Sequence, residues 1–354
     1  MPESGARRDG DVVPGVATLE SRIDDDACPE TEQVPTSVHW SSMREAGTLY
    51  GLRFLAWIND CFGRRLLSLF LVPTAAYFWV FRTHARRSSS RYLSQHYRFY
   101  PQLWTNPPGR FASLKHLYVF AESVVDKLLS WHVEIEEERF RLEDESKVEQ
   151  ILADRRGQLI IGSHFGNLEY CRGFMQRYKD KEINILVHDK HSENYNAMMA
   201  RFDPSSRVNV YQVSEFNAVS VLAMKKKIDN GEWLFIAGDR LPLSGHDRTV
   251  PVDFLGRQAH FPVGPYLLAK GLKCPVKLMF SYCDYFAEGR PVYFRIVDFA
   301  DRIELPRKER LAQLEAYAIR FAQELEQQCR DAPFHWFNFY DFWAGQPAYS
   351  DAST

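Results

Sequence analysis

From residue 158 onward, short uninterrupted apolar runs alternate with segments patterned for helix, and this alternation restricts the fold more than any other feature of the chain. Candidate strands cover 159–161, 183–187, 208–213, 233–237, 276–282 and 292–297. Helical spacing fills 168–178, 216–228, 264–272 and 308–330. A strand that is apolar at every position needs cover on both faces, which helical crossovers supply in parallel sheets. The expected fold is therefore α/β, a mainly parallel central sheet flanked by helices. The last two strands, joined through Glu288-Gly289, read as an antiparallel addition. No internal repeat, P-loop or GxGxxG is present.

The first of these strands leads into the most reactive stretch. Leu159-Ile160-Ile161 stops at Gly162-Ser163, and His164 comes next, with Glu169 five residues later. This layout places a histidine in a loop at the C-terminal end of a strand and a glutamate in the first turn of the next helix. In α/β enzymes that end of the sheet carries the chemistry. A histidine there can take a proton from an alcohol while a carboxylate fixes its tautomer and stabilises the imidazolium. A second reading stays open: a capping loop with an incidental histidine, and a first-turn glutamate favoured by the helix dipole. Zinc is the weaker reading, because helical zinc sites pair histidines at i and i+4 and no third ligand is at hand.

Ahead of the sheet, the character of the chain changes twice. Residues 1–38 are polar, with the acidic run Asp24-Asp25-Asp26 and no apolar stretch of the kind a secretory leader needs. They are expected to be a disordered extension. Residues 39–92 hold an apolar segment around Leu49 to Phe62, the pair Arg64-Arg65, and a second apolar run from Leu66 to Phe81. That run ends in Arg82, Arg86, Arg87 and Arg91. It is shorter than the roughly 20 apolar residues a span requires, and it contains Pro73. The expectation is a helical membrane-associating segment sunk into one leaflet, its arginines meeting anionic headgroups. A buried helical hairpin is the alternative. Residues 92–150 read as helical, with 134–145 a charged, solvated face. The catalytic domain is expected over 93–345 and a short tail over 346–354.

Composition narrows the partners. A net charge of −2 over 354 residues gives no reason to expect nucleic acid. The 14% aromatic content leans toward a lipid-facing or apolar-ligand protein. The six cysteines form no CxxC pair and are expected to be free thiols in a reducing compartment, with no metal site.

Three blocks in order resemble a known family. GSHFGNLE, from Gly162 to Glu169, is similar to the H-x4-[DE] signature of the glycerolipid and lipid A-type acyltransferases. Gly238-Asp239-Arg240, then VPVDFLG from Val250 to Gly256 and FPVGP from Phe261 to Pro265, resemble the GDR…VPFLG…FPxGP run of the late lipid A acyltransferases, with Asp253 set into an otherwise apolar stretch. The basic-flanked apolar segment resembles that family's anchor.

The resemblance implies transfer of a fatty acyl chain from an acyl thioester to a lipid or glycolipid acceptor at the cytoplasmic face of the inner membrane. The thioester is a co-substrate, carried on acyl carrier protein in preference to coenzyme A, and no cofactor is needed. His164 would be the general base and Glu169 its partner. Gly166 and Asn167 would supply oxyanion donors. Asp239 and Arg240 would belong to the substrate site, Arg240 either gripping a phosphate or pairing with Asp239. Lys225-Lys226-Lys227 would either dock the acidic carrier or simply stay solvated, and Cys171 would either relay an acyl group or sit inert. The aromatic stretch from Pro333 to Trp343 has Asn338, Tyr340 and Asp341 where that family carries cations. This departure points to a less charged acceptor than a multiply phosphorylated lipid A precursor, such as an aryl-polyene-type or glycolipid or aminolipid scaffold. The stretch itself is expected to pack over the sheet edge. Two other classes remain: a hydrolase using the same pair on the same ester, and a silent lipid-binding protein.

Overall fold

The computed structural model describes residues 49–129, 136–175, 182–187, 208–212, 218–241 and 248–343. The expected extension over 1–38, the expected tail over 346–354 and Cys28 lie outside them.

Among the described residues seven strands form one sheet: β1 (Phe140–Leu142), β2 (Gln158–Gly162), β3 (Ile183–Val187), β4 (Val208–Gln212), β5 (Trp233–Ala237), β8 (Val276–Cys283) and β9 (Val292–Ala300). Their spatial order is β1-β9-β8-β2-β5-β3-β4. β8, β2, β5, β3 and β4 run parallel, and β9 is antiparallel to β8. Alternate residues of the central strands go to opposite faces: Leu159 and Ile161 to one core, Ile160 to the other. Every residue of β2 is buried, as its unbroken apolar pattern requires.

The helices flanking this sheet include α4 (Glu145–Ala153), α5 (Leu168–Met175), α6 (Ala218–Asp229), α7 (Gly264–Leu272) and α8 (Arg310–Asp331). Two elements depart from the sequence expectation. β6 (Thr249–Phe254) and β7 (Arg257–Pro262) form a separate antiparallel hairpin where the sequence predicts only a turn into α7. β1 lies inside the charged run over 134–145: Phe140 is buried and Arg141 points out.

At the N-terminal side, α1 (Leu49–Phe81) is broken at Gly63, whose φ of 78° and ψ of 168° lie outside the helical region. Leu67, Leu71 and Ala75 repeat every fourth residue and are buried. Leu67 and Leu71 pack with Val125, Tyr118 and Ala121 of α3 (Ala112–Leu129). The opposite face carries Leu69, Phe70, Tyr77 and Phe81, all exposed, with Leu69 at 64% and Phe81 at 67%. α2 (Thr83–Phe99) then turns away by 96° from the Leu66–Phe81 part of α1. Among the described residues no single helix is long and apolar enough to cross a membrane, while this bent pair passes by length and composition.

α1 is tied to the sheet domain by buried charge as well as by packing. Glu122 of α3, nearly inaccessible, accepts from Arg64 at 2.5 Å and from Arg290 at 2.7 Å, and Tyr118 donates to it at 2.5 Å. Removing one member of such a set leaves an uncompensated buried charge, so the cluster fixes how these helices sit on the sheet.

Candidate active site

The site arises from strand register. β2 and β5 are adjacent and parallel, with Gly162 opposite Ala237. Two residues past each strand end, His164 and Asp239 come together. His164 Nδ1 lies 2.8 Å from Asp239 Oδ1, and the His164 backbone N–H donates to Oδ2 at 2.9 Å. Trp336 Nε1 donates to the same Oδ2 at 3.0 Å, and Tyr340 reaches the Asp239 carbonyl at 3.4 Å. A carboxylate only accepts, so Nδ1 carries the proton and Nε2 keeps its lone pair. The Asp239 side chain is 1% exposed while that of His164 is 37% exposed, which leaves the ring within reach of a substrate.

The electrostatics favour a neutral base. Burial, followed by the Arg240 guanidinium, holds the His164 imidazole below its ordinary range, against the opposing pull of Asp239. Burial by itself would push the Asp239 carboxyl up, but His164, Arg240 and the Trp336 hydrogen bond together hold it below the usual carboxylate range. A neutral imidazole beside an ionised carboxylate is the ground state a general base needs.

Here the structure corrects the sequence reading. The carboxylate on the His164 ring is Asp239, not Glu169. Glu169 sits buried in the first turn of α5, its backbone N–H capped by Asn167 Oδ1 at 3.0 Å. Asp239, assigned by sequence to the substrate site, instead lies against the His164 ring and backbone. The expected oxyanion donors are also engaged. The Gly166 N–H donates to the His335 carbonyl at 2.7 Å and the Asn167 N–H to the Ser281 carbonyl at 2.9 Å. Asn167 Nδ2 donates to the Ser123 carbonyl at 3.2 Å. These groups build the loop, and an oxyanion at either N–H would have to displace a protein carbonyl. Gly166 has a structural reason to be glycine: its φ is 64°, and a Cβ there would lie 1.8 Å from the Ser281 oxygen.

Arg240 stands over the Tyr340 ring at 5.1 Å, close enough to His164 to act on its charge. Lys127 on α3 adds a smaller effect in the same direction. It lies one helical turn beyond Ser123, the residue that meets the His164 loop.

Cys171 is buried, its thiol pushed up to about 12 by burial and bonded to Ser281 Oγ at 3.2 Å, which is the state of an inert thiol. Lys225 is paired with Asp229, and Lys227 with Glu232 at 3.0 Å.

The residue missed in the sequence is Trp336. The segment 335–337 runs along the His164 loop, bridging Phe165 with Trp336, while the Phe337 N–H donates to the His164 carbonyl at 2.8 Å. Its aromatic character is visible in the sequence, but its position 172 residues after His164 conceals that it braces the His164–Asp239 pair.

The sequence pattern described as "Bacterial lipid A biosynthesis acyltransferase" matches residues 119–344, well over half of the 354-residue chain. The chain belongs to this family. Membership makes it an acyltransferase of the lipid A biosynthesis type. The match begins inside α3, so α1 and α2 lie outside it, whereas the His164 loop, Asp239, Arg240 and Trp336 all lie within it. No curated protein sequence matches the chain.

Proposed function

We propose that this family member transfers a fatty acyl chain from an acyl carrier protein thioester to the hydroxyl of a membrane lipid or glycolipid, with His164 as general base and Asp239 as its orienting carboxylate. The observation that carries this reading is the Nδ1–Asp239 hydrogen bond behind a half-buried ring that solvent still reaches. Nε2 takes the proton of the acceptor hydroxyl as its oxygen attacks the thioester carbonyl carbon. The tetrahedral oxyanion then collapses, breaking the carbon–sulfur bond, and the departing thiolate takes its proton from the His164 imidazolium. No covalent enzyme intermediate is needed, in keeping with the high pKa of Cys171. Arg240 faces the anionic part of the donor. Glu169 is retained as a functional residue through the H-x4-E spacing, acting from the first turn of α5 and not on Nδ1.

The exposed apolar face of α1 supports attachment to the cytoplasmic leaflet of the inner membrane, since water leaves that face without cover. The C-terminal aromatic segment, which carries Asn338, Tyr340 and Asp341 and neither Lys nor Arg, supports an acceptor with fewer phosphates than a lipid A precursor. His164→Ala should lower acyl transfer by at least about a thousandfold while the protein stays folded and vesicle-bound. Near-normal turnover in that variant would overturn the mechanism. Product analysis with and without acceptor separates transfer from hydrolysis, because a hydrolase releases free fatty acid in both.

A further inference from the structure

The arginines after α1 are not equivalent. Arg91 is drawn to Asp341, whereas Arg86, Arg87 and Arg110 form no ion pair among the described residues. Arg86 and Arg110 instead converge on one indole: their guanidinium carbons lie 5.1 and 5.7 Å from the Trp79 ring. That ring is held in place by its Nε1–H, which donates to Ser113 Oγ at 2.9 Å, and Arg86 is held by its own bond to the Trp79 carbonyl at 3.0 Å. Around them lies a groove of about 460 Å³ that Arg87 and Ser90 also line. Two fixed cations sharing one ring repel each other, and an anion between them relieves that repulsion. The N-terminus of α2 has no capping side chain, and Arg86 and Arg87, about one turn further on, line the groove, so the helix dipole adds positive potential there.

The place of the groove selects the anion. Its floor, Trp79, lies near the end of α1, two residues before the exposed Phe81, and its arginines Arg86 and Arg87 come from α2 across the 96° bend. The groove thus sits next in the chain to the exposed apolar face of α1, which would bring a headgroup to it if that face met a bilayer. We propose that this groove binds the phosphate headgroup of an anionic phospholipid, with Arg86, Arg87 and Arg110 as its ligands and Trp79 as its floor. Such a site sets the depth and rotation of the enzyme on the bilayer, separately from the acyl-transfer site. It rests on the reading of α1 as membrane-facing.

The test is flotation of the full chain with vesicles of neutral phosphatidylcholine, alone or with about a third phosphatidylglycerol. Wild-type protein should prefer the anionic vesicles by a factor on the order of a hundred at low salt, as expected for three cations at such a surface. Arg86→Gln/Arg87→Gln/Arg110→Gln should bring that preference to within threefold while binding to neutral vesicles is kept. A charge-matched control, Arg302→Gln/Arg307→Gln/Arg310→Gln, should retain it. Quenching of the Trp79 signal by bromine-labelled anionic lipid, lost in Trp79→Phe, would place the lipid in the groove. Equal loss in the control variant overturns the site in favour of diffuse charge. Release from vesicles by millimolar inorganic phosphate, matching the triple variant, overturns the lipid assignment in favour of a free anion. Failure of wild-type protein to bind neutral vesicles speaks instead against the membrane-facing reading of α1.

Discussion

Replacing Asp239 by Asn changes one oxygen into an amide, and the hydrogen bonds around the carboxylate determine the cost. At Asp239, Oδ2 accepts two N–H groups, from the His164 backbone at 2.9 Å and Trp336 at 3.0 Å, while Oδ1 faces Nδ1 at 2.8 Å. Asparagine has one acceptor. With its oxygen at the Oδ2 position both N–H groups stay satisfied, but the amide then donates to Nδ1. The ring must shift its proton to Nε2, which can no longer accept one from substrate. The opposite rotamer keeps the productive tautomer and turns the amide against two buried donors. Each lost bond costs about 1–3 kcal/mol, so the unproductive arrangement is favoured by about 4 kcal/mol. At about 1.4 kcal/mol per decade, about one molecule in a thousand keeps a competent base. The kcat for acyl transfer should therefore fall on the order of a thousandfold, with the urea unfolding midpoint nearly unchanged. Glu169→Gln, assayed alongside, should leave the tautomer of His164 unaltered, as read from the ring nitrogens by NMR. If Asp239→Asn stays within tenfold of wild type while Glu169→Gln shifts the tautomer, the orienting carboxylate is Glu169 and not Asp239.

Trp336→Phe removes one donor from the Asp239 carboxylate and should destabilise the fold by about 1–3 kcal/mol in urea titrations and lower kcat about tenfold; an unchanged pH profile and kcat would mean that Trp336 only fills space. Gly166→Ala forces a left-handed residue and a clash with the Ser281 carbonyl, so a loss of about 3 kcal/mol or more is expected, and a near-wild-type unfolding midpoint would contradict the loop geometry. His335 and His116 are held neutral by burial, at about 4 and about 3, below the ordinary 6.5. The unfolded chain therefore takes up their protons first as pH falls. Their contribution is complete above pH 6.5 and should shrink by about 3 kcal/mol by pH 5, a slope that His335→Gln should roughly halve. By the same sign, the acid limb of kcat/KM should have its midpoint below 6.5, because His164 is depressed; a midpoint above 6.5 would contradict its environment.

The sheet is legible in the sequence because unbroken apolar runs have few alternatives. β3, β5 and α7 begin and end where the pattern places them. The β6–β7 hairpin is not legible, since Pro251 within β6 argues against a central strand and only an isolated two-stranded ribbon accommodates it. β1 is hidden by the charged residues around Phe140, whose three-residue strand needs only one inward side chain. In the site, the placement of His164 in a loop just after β2 is readable from the sequence. Its partner is not, because proximity in sequence favours Glu169, whereas adjacency of β2 and β5 in the sheet brings Asp239. The oxyanion assignment fails for a related reason: N–H groups at a loop look available until the carbonyls of His335 and Ser281, supplied from more than a hundred residues away, are seen to occupy them.

The bracing of the His164 loop by residues 335–337 also fixes an order of events during synthesis. The apolar face of α1 leaves the ribosome roughly ten to fifty seconds before Trp336 at elongation rates of about 5–20 residues per second. During that interval Asp239 lacks its indole donor and the His164 loop lacks its last hydrogen bonds, so the nascent chain carries the apolar face of α1 before this pair is held in place. The apolar face of α1 is thus complete well before the His164–Asp239 pair can be braced.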